Sequence, residues 1–343
     1  MLNDATVGYA RQWHEVIARP FTREERDSTT LWMGGLSRKH DLFICAAARS
    51  RGYDMRPMPV PDNEALKIGK EFGNRGQCNP TYYTAGNLIR KLRALEASGV
   101  PREDLLRDYV YITAGSCGPC RFGMYSTEYR KVLRDAGYEG FRVLELHQTD
   151  IVRGDLKNDG LEVTLPFLIA IVKAAVAADV LNLIGHRIRP YEVNAGETDK
   201  VLGECGDIVI EALEQRRSVL RALRGCRRLL KNIVVDRLRS KPVVCVIGEI
   251  WAMTTEGDGN YKMHSFLEDE GAEVLIQPIF NWLLYLIWEQ KRDASIRRLL
   301  RGEDTGNRDS KGKSQWWQLM VASMAEPVLR QSIRSFAAAV GLT

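Results

Sequence analysis

After a polar, Arg- and Thr-rich lead-in, TTLWMGG (29–35) is a short apolar run entering a glycine turn, which predicts a strand. SRKHDLFICAAARSRG (37–52) follows with apolar residues at helical spacing, and MRPMPV (55–60) reads as a second strand. CNPTYYTAGNLIRKLRALEASGV (78–100) predicts a helix that ends at Gly99. Pro80 stands in its first turn, where a missing N–H does no harm. YVYITAG (109–115), MYSTEYRKVLRDAG (124–137) and FRVLELH (141–147) predict strand, helix and strand. Strands separated by helices of this length predict a mostly parallel sheet with helices on both faces.

The pattern changes at 163 and stays helical to about 240, with one polar break, RIRPYEVNAGETDK (187–200). Alternation resumes with KPVVCVIGEI (241–250), read as a buried strand. YKMHSFLEDEGAEVLIQP (261–278) predicts helix then strand, and FNWLLYLIWEQKRD (280–293) a helix. The expected fold is therefore α/β: two lobes with mostly parallel sheets flanked by helices. A lead-in at 1–28 precedes the first lobe at 29–162, and a helical region at 163–240 joins it to a second lobe at 241–343 with a helical carboxyl terminus. GEDTGNRDSKGKS (302–314) reads as a flexible loop, and there is no internal repeat.

Composition adds little to this picture: 343 residues, 45% hydrophobic and 27% charged, suit a folded chain of two domains. The net charge of +5, from 49 basic and 44 acidic residues, is mild. Basic residues cluster in RRSVLRALRGCRRLLKNIVVDRLRSK (216–241), which could meet nucleic acid or an acidic partner. No aromatic residues are interleaved and no nucleic-acid-binding motif accompanies it, so it reads as a solvated helix face. The amino terminus lacks an apolar core of the signal-peptide kind. The longest apolar stretch, LPFLIAIVKAAVAADVLNLIG (165–185), is broken by Lys173 and Asp179 before it could span a bilayer. No membrane partner is expected, and the expected location is cytoplasmic. The seven cysteines are too sparse and too odd in number for a disulfide scaffold, which leaves reduced thiols, metal ligands or catalytic groups.

The densest thiol segment is SCGPCRFG (116–123), between a predicted strand and a predicted helix. CGPC in that setting is the pattern of the thioredoxin active site, where the helix amino terminus lowers the pKa of the first thiol. Here Ser116 replaces the usual tryptophan and no later segment supplies a cis-proline strand, but a Cys117–Cys120 dithiol stays open. Cys78 sits at another loop-to-helix junction. Helix starts in a parallel sheet line up along its carboxyl edge, so Cys78 is expected to meet Cys117 and Cys120 in space. Thiolates at helix starts suit an anionic iron–sulfur cluster. A zinc ribbon would need a second close pair, which is missing. Cys45, Cys226 and Cys245 read as structural residues, as does Cys205 unless it swings in as a ligand. Arg121 reads either as a hydrogen-bond donor to cluster sulfur or as part of a surface ion pair.

Several segments in order carry a resemblance: the MGG turn (33–35), GQCNPTYYTAGNL (76–88), GPCRFGMY (118–125), RPYEVNAGETDK (189–200), VIGEI (246–250) and LEDEGAEV (267–274). Together they resemble the family related to the activators of 2-hydroxyacyl-CoA dehydratases, in its cysteine-bearing portion. That resemblance implies ATP-coupled electron donation, through four-iron four-sulfur clusters, to dehydratases or reductases of CoA thioesters. It places cluster ligands at Cys78 and Cys120, with Cys117 a further ligand-competent thiol. Relatives carry another cysteine in a late Gly-rich strand segment, whereas this chain has none after Cys245.

The family's actin- and hexokinase-type ATPase is missing, and no GxxxxGK[ST] loop replaces it. VIGEIWAMTTEGDGN (246–260) is the nearest Gly-containing stretch, and its acidic residues would repel phosphates. The expected partners are therefore a separate ATPase subunit of that type and a redox acceptor protein, in a homo- or hetero-oligomer. The leading expectation is an iron–sulfur electron-transfer component. The alternatives are a catalytic dehydratase- or reductase-like subunit with an open cluster iron, a scaffold with a vestigial cluster, and a CGPC dithiol protein. Arg189, Tyr191, Glu192, Glu197 and Asp199 form a polar loop that the resemblance makes a family signature, Glu249 could orient a ligand or cap the next segment, and His147 and His186 receive no role.

Overall fold

The computed structural model describes residues 18–115, 120–147, 160–301 and 315–342. The start of the lead-in, Cys117 with the rest of SCGP, and the loop at 302–314 lie outside the described residues. β1 (Thr30–Met33), β2 (Met55–Pro57), β3 (Tyr109–Gly115) and β4 (Arg142–His147) pair in parallel in the order β2-β1-β3-β4. Alternate residues of the central strands enter different cores. Leu31, Val110 and Ile112 pack with Cys45 and Phe167, while Trp32 and Tyr111 pack with Leu88 and Tyr129. Burial on both faces explains the nearly continuous apolar run of β3.

Five helices accompany this sheet: α1 (Arg38–Arg49), α2 (Asn63–Phe72), α3 (Asn79–Ala97), α4 (Arg102–Asp108) and α5 (Tyr125–Asp135). Neither α2 nor α4 was expected from the pattern. The Asp62 side chain caps α2 by accepting the Ala65 N–H at 3.0 Å. α2 and α3 approach backbone to backbone, because a Cβ on Gly86 would stand 1.8 Å from the Ala65 carbonyl oxygen and one on Gly69 1.8 Å from that of Tyr82. Gly86→Ala must therefore separate two helices, at an expected cost of about 2 kcal/mol in urea denaturation. An unchanged midpoint would mean that this contact yields freely.

The central region holds α6 (Leu165–Ile188), α7 (Glu197–Glu214) and α8 (Val219–Leu230), which share one core with α1. By length and composition alone α6 could cross a membrane, but 56% of its apolar window is buried inside the protein. It is packed as a core helix, with Asp179 buried near its middle. Along α8, Ala222, Leu223 and Cys226 are buried while Arg221, Arg224 and Arg227 are exposed, the solvated basic face anticipated above.

The second lobe has a parallel pair, β5 (Val243–Val246) and β6 (Glu273–Ile276), with α9 (Ile250–Thr254), α10 (Met263–Asp269), α11 (Ile279–Arg301) and α12 (Gln315–Val340). The fold class is thus α/β, with two parallel sheets flanked by helices. One expectation fails: β5 is not buried. Val243 is 61% exposed and Cys245 is also exposed. Among the described residues β6 is the only strand beside β5, so one long edge of β5 is open.

Candidate functional site

β1 ends in the Gly34-Gly35 turn, and Gly35 has φ +111°, which favours glycine. The Asp41 carboxyl closes the turn by accepting the N–H groups of Gly35 and Leu36, each at 3.3 Å. A Cβ on Gly35 would be 3.8 Å from Thr84 Cγ2, so the sheet edge meets α3 at Thr84. Cys78 lies six residues nearer the helix start, about 9 Å further out at 1.5 Å rise per residue. It occupies the N-cap position of α3 in extended conformation, and its side chain makes no capping bond.

α5 lies beside α3 and runs the same way. The Thr84 and Tyr129 hydroxyls are 2.7 Å apart, and Cys78 packs against the cluster that holds Tyr125 and Tyr129, with Phe122 beside it. Burial pushes the Tyr125 phenol well above its ordinary pKa against the opposing Thr81 hydroxyl, and the nearby charges of Cys78 and Glu249 push the same way. Cys120 caps the 3-10 turn Arg121–Met124 that leads into α5. Arg121 Nη1 donates to the Gly76 carbonyl at 2.8 Å, tying the two thiol-bearing loops together. Cys78 is half-buried, Cys120 is exposed, and both are free thiols. The structure thus brings the segments of Cys78, Cys120 and Arg121 to one sheet edge, while Cys117 lies outside the described residues. Among the described residues no three His, Cys, Asp or Glu side chains converge on a metal position, and a four-iron cubane bound through Cys78 and Cys120 would need further ligands from outside them. Their chemistry, two uncapped thiols at helix starts, fits such a group.

The other sites resolve differently. Cys45 is buried in the first lobe. Cys205 does not swing toward the thiol loops: it is buried against Cys226, each Sγ facing the other's carbonyl oxygen at 3.9 and 3.7 Å. Glu249 is a cap, accepting the N–H groups of Trp251 at 3.0 Å and Ala252 at 2.9 Å. Glu192 likewise caps α7 through Gly196 and Thr198, at 2.6 and 2.7 Å. Arg189 bridges Asp199 and Glu268, and the His186 ring meets Glu268 at 2.8 Å. Burial pushes Glu268 upward, but the His186 hydrogen bond and the Arg189 guanidinium more than offset it and hold the carboxyl low. The polar loop and His186, which was given no role, are therefore a clamp between the helical region and the second lobe.

Sequence reasoning missed one feature altogether, a cavity of about 360 Å³ between the lobes. On its wall Ser37 Oγ lies 2.7 Å from His40 Nδ1, and His40 Nε2 lies 3.1 Å from Asp179 Oδ1. Asp179 also accepts the N–H groups of Ile279 and Phe280, at 2.8 and 3.0 Å, so the chain joins α1, α6 and the start of α11. His264, on the same wall, is held to a pKa of about 4 by burial and by neighbouring His186. The available signal was a carboxylate inside the apolar run of α6. Comparison with protein families, curated proteins and solved structures returns no match for this chain.

Proposed function

We propose that this protein is an iron–sulfur electron-transfer component that carries a four-iron four-sulfur cluster. It works with a separate actin- or hexokinase-type ATPase in the low-potential reduction or activation of a dehydratase or reductase of CoA thioesters. One observation carries the reading: Cys78 and Cys120, both free, open neighbouring helical segments at one sheet edge, with their loops joined through Arg121 and Gly76. A redox dithiol would use only Cys117 and Cys120 and leave Cys78 idle.

Cys78 and Cys120 hold the group, with Cys117 as a further sulfur donor. When bound, the cluster supplies one-electron transfer at low potential. The dipole and free N–H groups at the start of α3 favour an anionic group there. Phe122, Tyr125 and Tyr129 give the site an apolar side that excludes water, while the exposure of Cys120 leaves it open to a redox acceptor. Glu249 puts a carboxylate at the start of α9, where a phosphate would otherwise sit, which favours ATP use by a partner chain. A cytoplasmic setting belongs with this reading, since free thiols require a reducing compartment.

The test is anaerobic purification and reconstitution, followed by iron and sulfide analysis and paramagnetic resonance of the reduced protein. The expected result is about four iron and four sulfide per cluster, with a low-temperature signal. Iron at background after reconstitution, with or without the partner ATPase, would sink the proposal.

A further inference from the structure

No cysteine among the described residues lines the inter-lobe cavity. Its wall carries three cations, Lys39, Arg189 and Lys262, against four carboxylates, Asp179, Asp199, Glu256 and Glu268. Most are already engaged: Asp179 with His40 and the start of α11, Arg189 with Asp199 and Glu268. Lys262 stands 4.0 Å from Asp258. Lys39 and Glu256 differ, for neither has a hydrogen bond or ion pair among the described residues. Lys39 comes from the first turn of α1, and Glu256 from the connection between α9 and α10. Burial holds the Lys39 ammonium below its ordinary pKa, and Glu256 is the foremost charge opposing that shift. The two therefore interact electrostatically within the lining of one cavity without forming an ion pair.

We propose that this cavity binds a small zwitterion of the amino-acid class, whose carboxylate is taken by Lys39 and whose ammonium is taken by Glu256. A purely anionic ligand would satisfy Lys39 but face Glu256, and a purely cationic one would face Lys39. The near-balance of charge on the wall favours neither sign alone, whereas a ligand carrying both completes both unpaired groups. The cavity volume, about 360 Å³, lies at the lower end of small-molecule sites and suits an amino acid. The site opens between the carboxyl ends of the sheets, the usual ligand position in parallel α/β proteins.

The test uses the full chain and calorimetric titration with each of the standard amino acids singly. The tightest binder is then compared with its deamino acid, which keeps the carboxylate, and with its decarboxylated amine. Saturable binding is expected for at least one amino acid, and both single-charge analogues should bind at least about tenfold more weakly, a difference of about 1.4 kcal/mol. Lys39→Met and Glu256→Gln should each weaken binding to a similar degree, and Ser265→Phe should block it from the exposed rim. If Lys39→Met fails to fold, Glu256→Gln, on a half-buried connection, and Ser265→Phe carry the same test. Three results would each overturn the proposal: no saturable binding by any amino acid, equal binding of a single-charge analogue, or wild-type affinity in the folded variants.

Discussion

Anaerobically reconstituted Cys78→Ala protein is expected to lose essentially all its bound iron and its paramagnetic signal while keeping its stability to within about 1 kcal/mol. The stability should hold because Cys78 is only half-buried, and its thiol makes no capping bond whose loss would fray α3. Cys120→Ala should behave the same way, since Cys120 is exposed and caps its turn without a side-chain bond. Cys245→Ala is the control: it removes an exposed thiol from β5 and should leave the iron untouched. Full iron content in Cys78→Ala would return SCGPCRFG to dithiol chemistry between Cys117 and Cys120.

How legible each element was depends on whether its signal is local. β1 and β3 are apolar runs that end at glycines, β4 carries Val143, Leu144 and Leu146, and α3 is announced by Cys-Asn-Pro, so all four could be read from the chain. α2 follows a segment rich in prolines, and its apolar stripe, Ala65, Ile68 and Phe72, is short and contains Gly69, a weak helix former. α4 is only seven residues long. β5 misled for a different reason: VVCV has the composition of a buried strand, but burial depends on which strands lie beside it in space, and among the described residues only β6 does. The meeting of the Cys78 and Cys120 segments was legible because helix starts and a parallel sheet fix the edge they share. The cavity was not, because His40 and Asp179 meet across 139 residues and Lys39 and Glu256 reach its lining from positions still further apart in the chain. Asp179 was noticed as an interruption of an apolar run, and the same oddity marks its buried role as an acceptor.

Raising the pH from about 4 to about 7 should cost the fold about 3 kcal/mol through Asp41 alone, and Asp41→Asn should remove that dependence. Burial beneath the β1–α1 turn lifts the Asp41 carboxyl from its ordinary 3.8 to about 7, although the Leu36 and Gly35 N–H groups pull the other way. Between those values the folded protein keeps a proton that the unfolded chain has lost. The contribution is therefore fully present below 3.8 and is lost as pH rises through about 7. His264 works in the opposite sense: its pKa is depressed from 6.5 to about 4, so its contribution is present above 6.5 and is lost as pH falls through about 4. The two offset each other over much of this range, so the wild-type stability curve should be shallow. The difference between Asp41→Asn and wild type cancels the histidine and isolates the carboxyl. At the acid end the variant should be less stable by about 1 kcal/mol, because the asparagine amide nitrogen cannot accept one of the two turn N–H groups. As pH rises the gap should close, change sign and end in the variant's favour, which urea denaturation at a series of pH values would record. A gap that stays constant across the series would mean that Asp41 titrates as a solvated carboxyl and that the glycine turn is open to water.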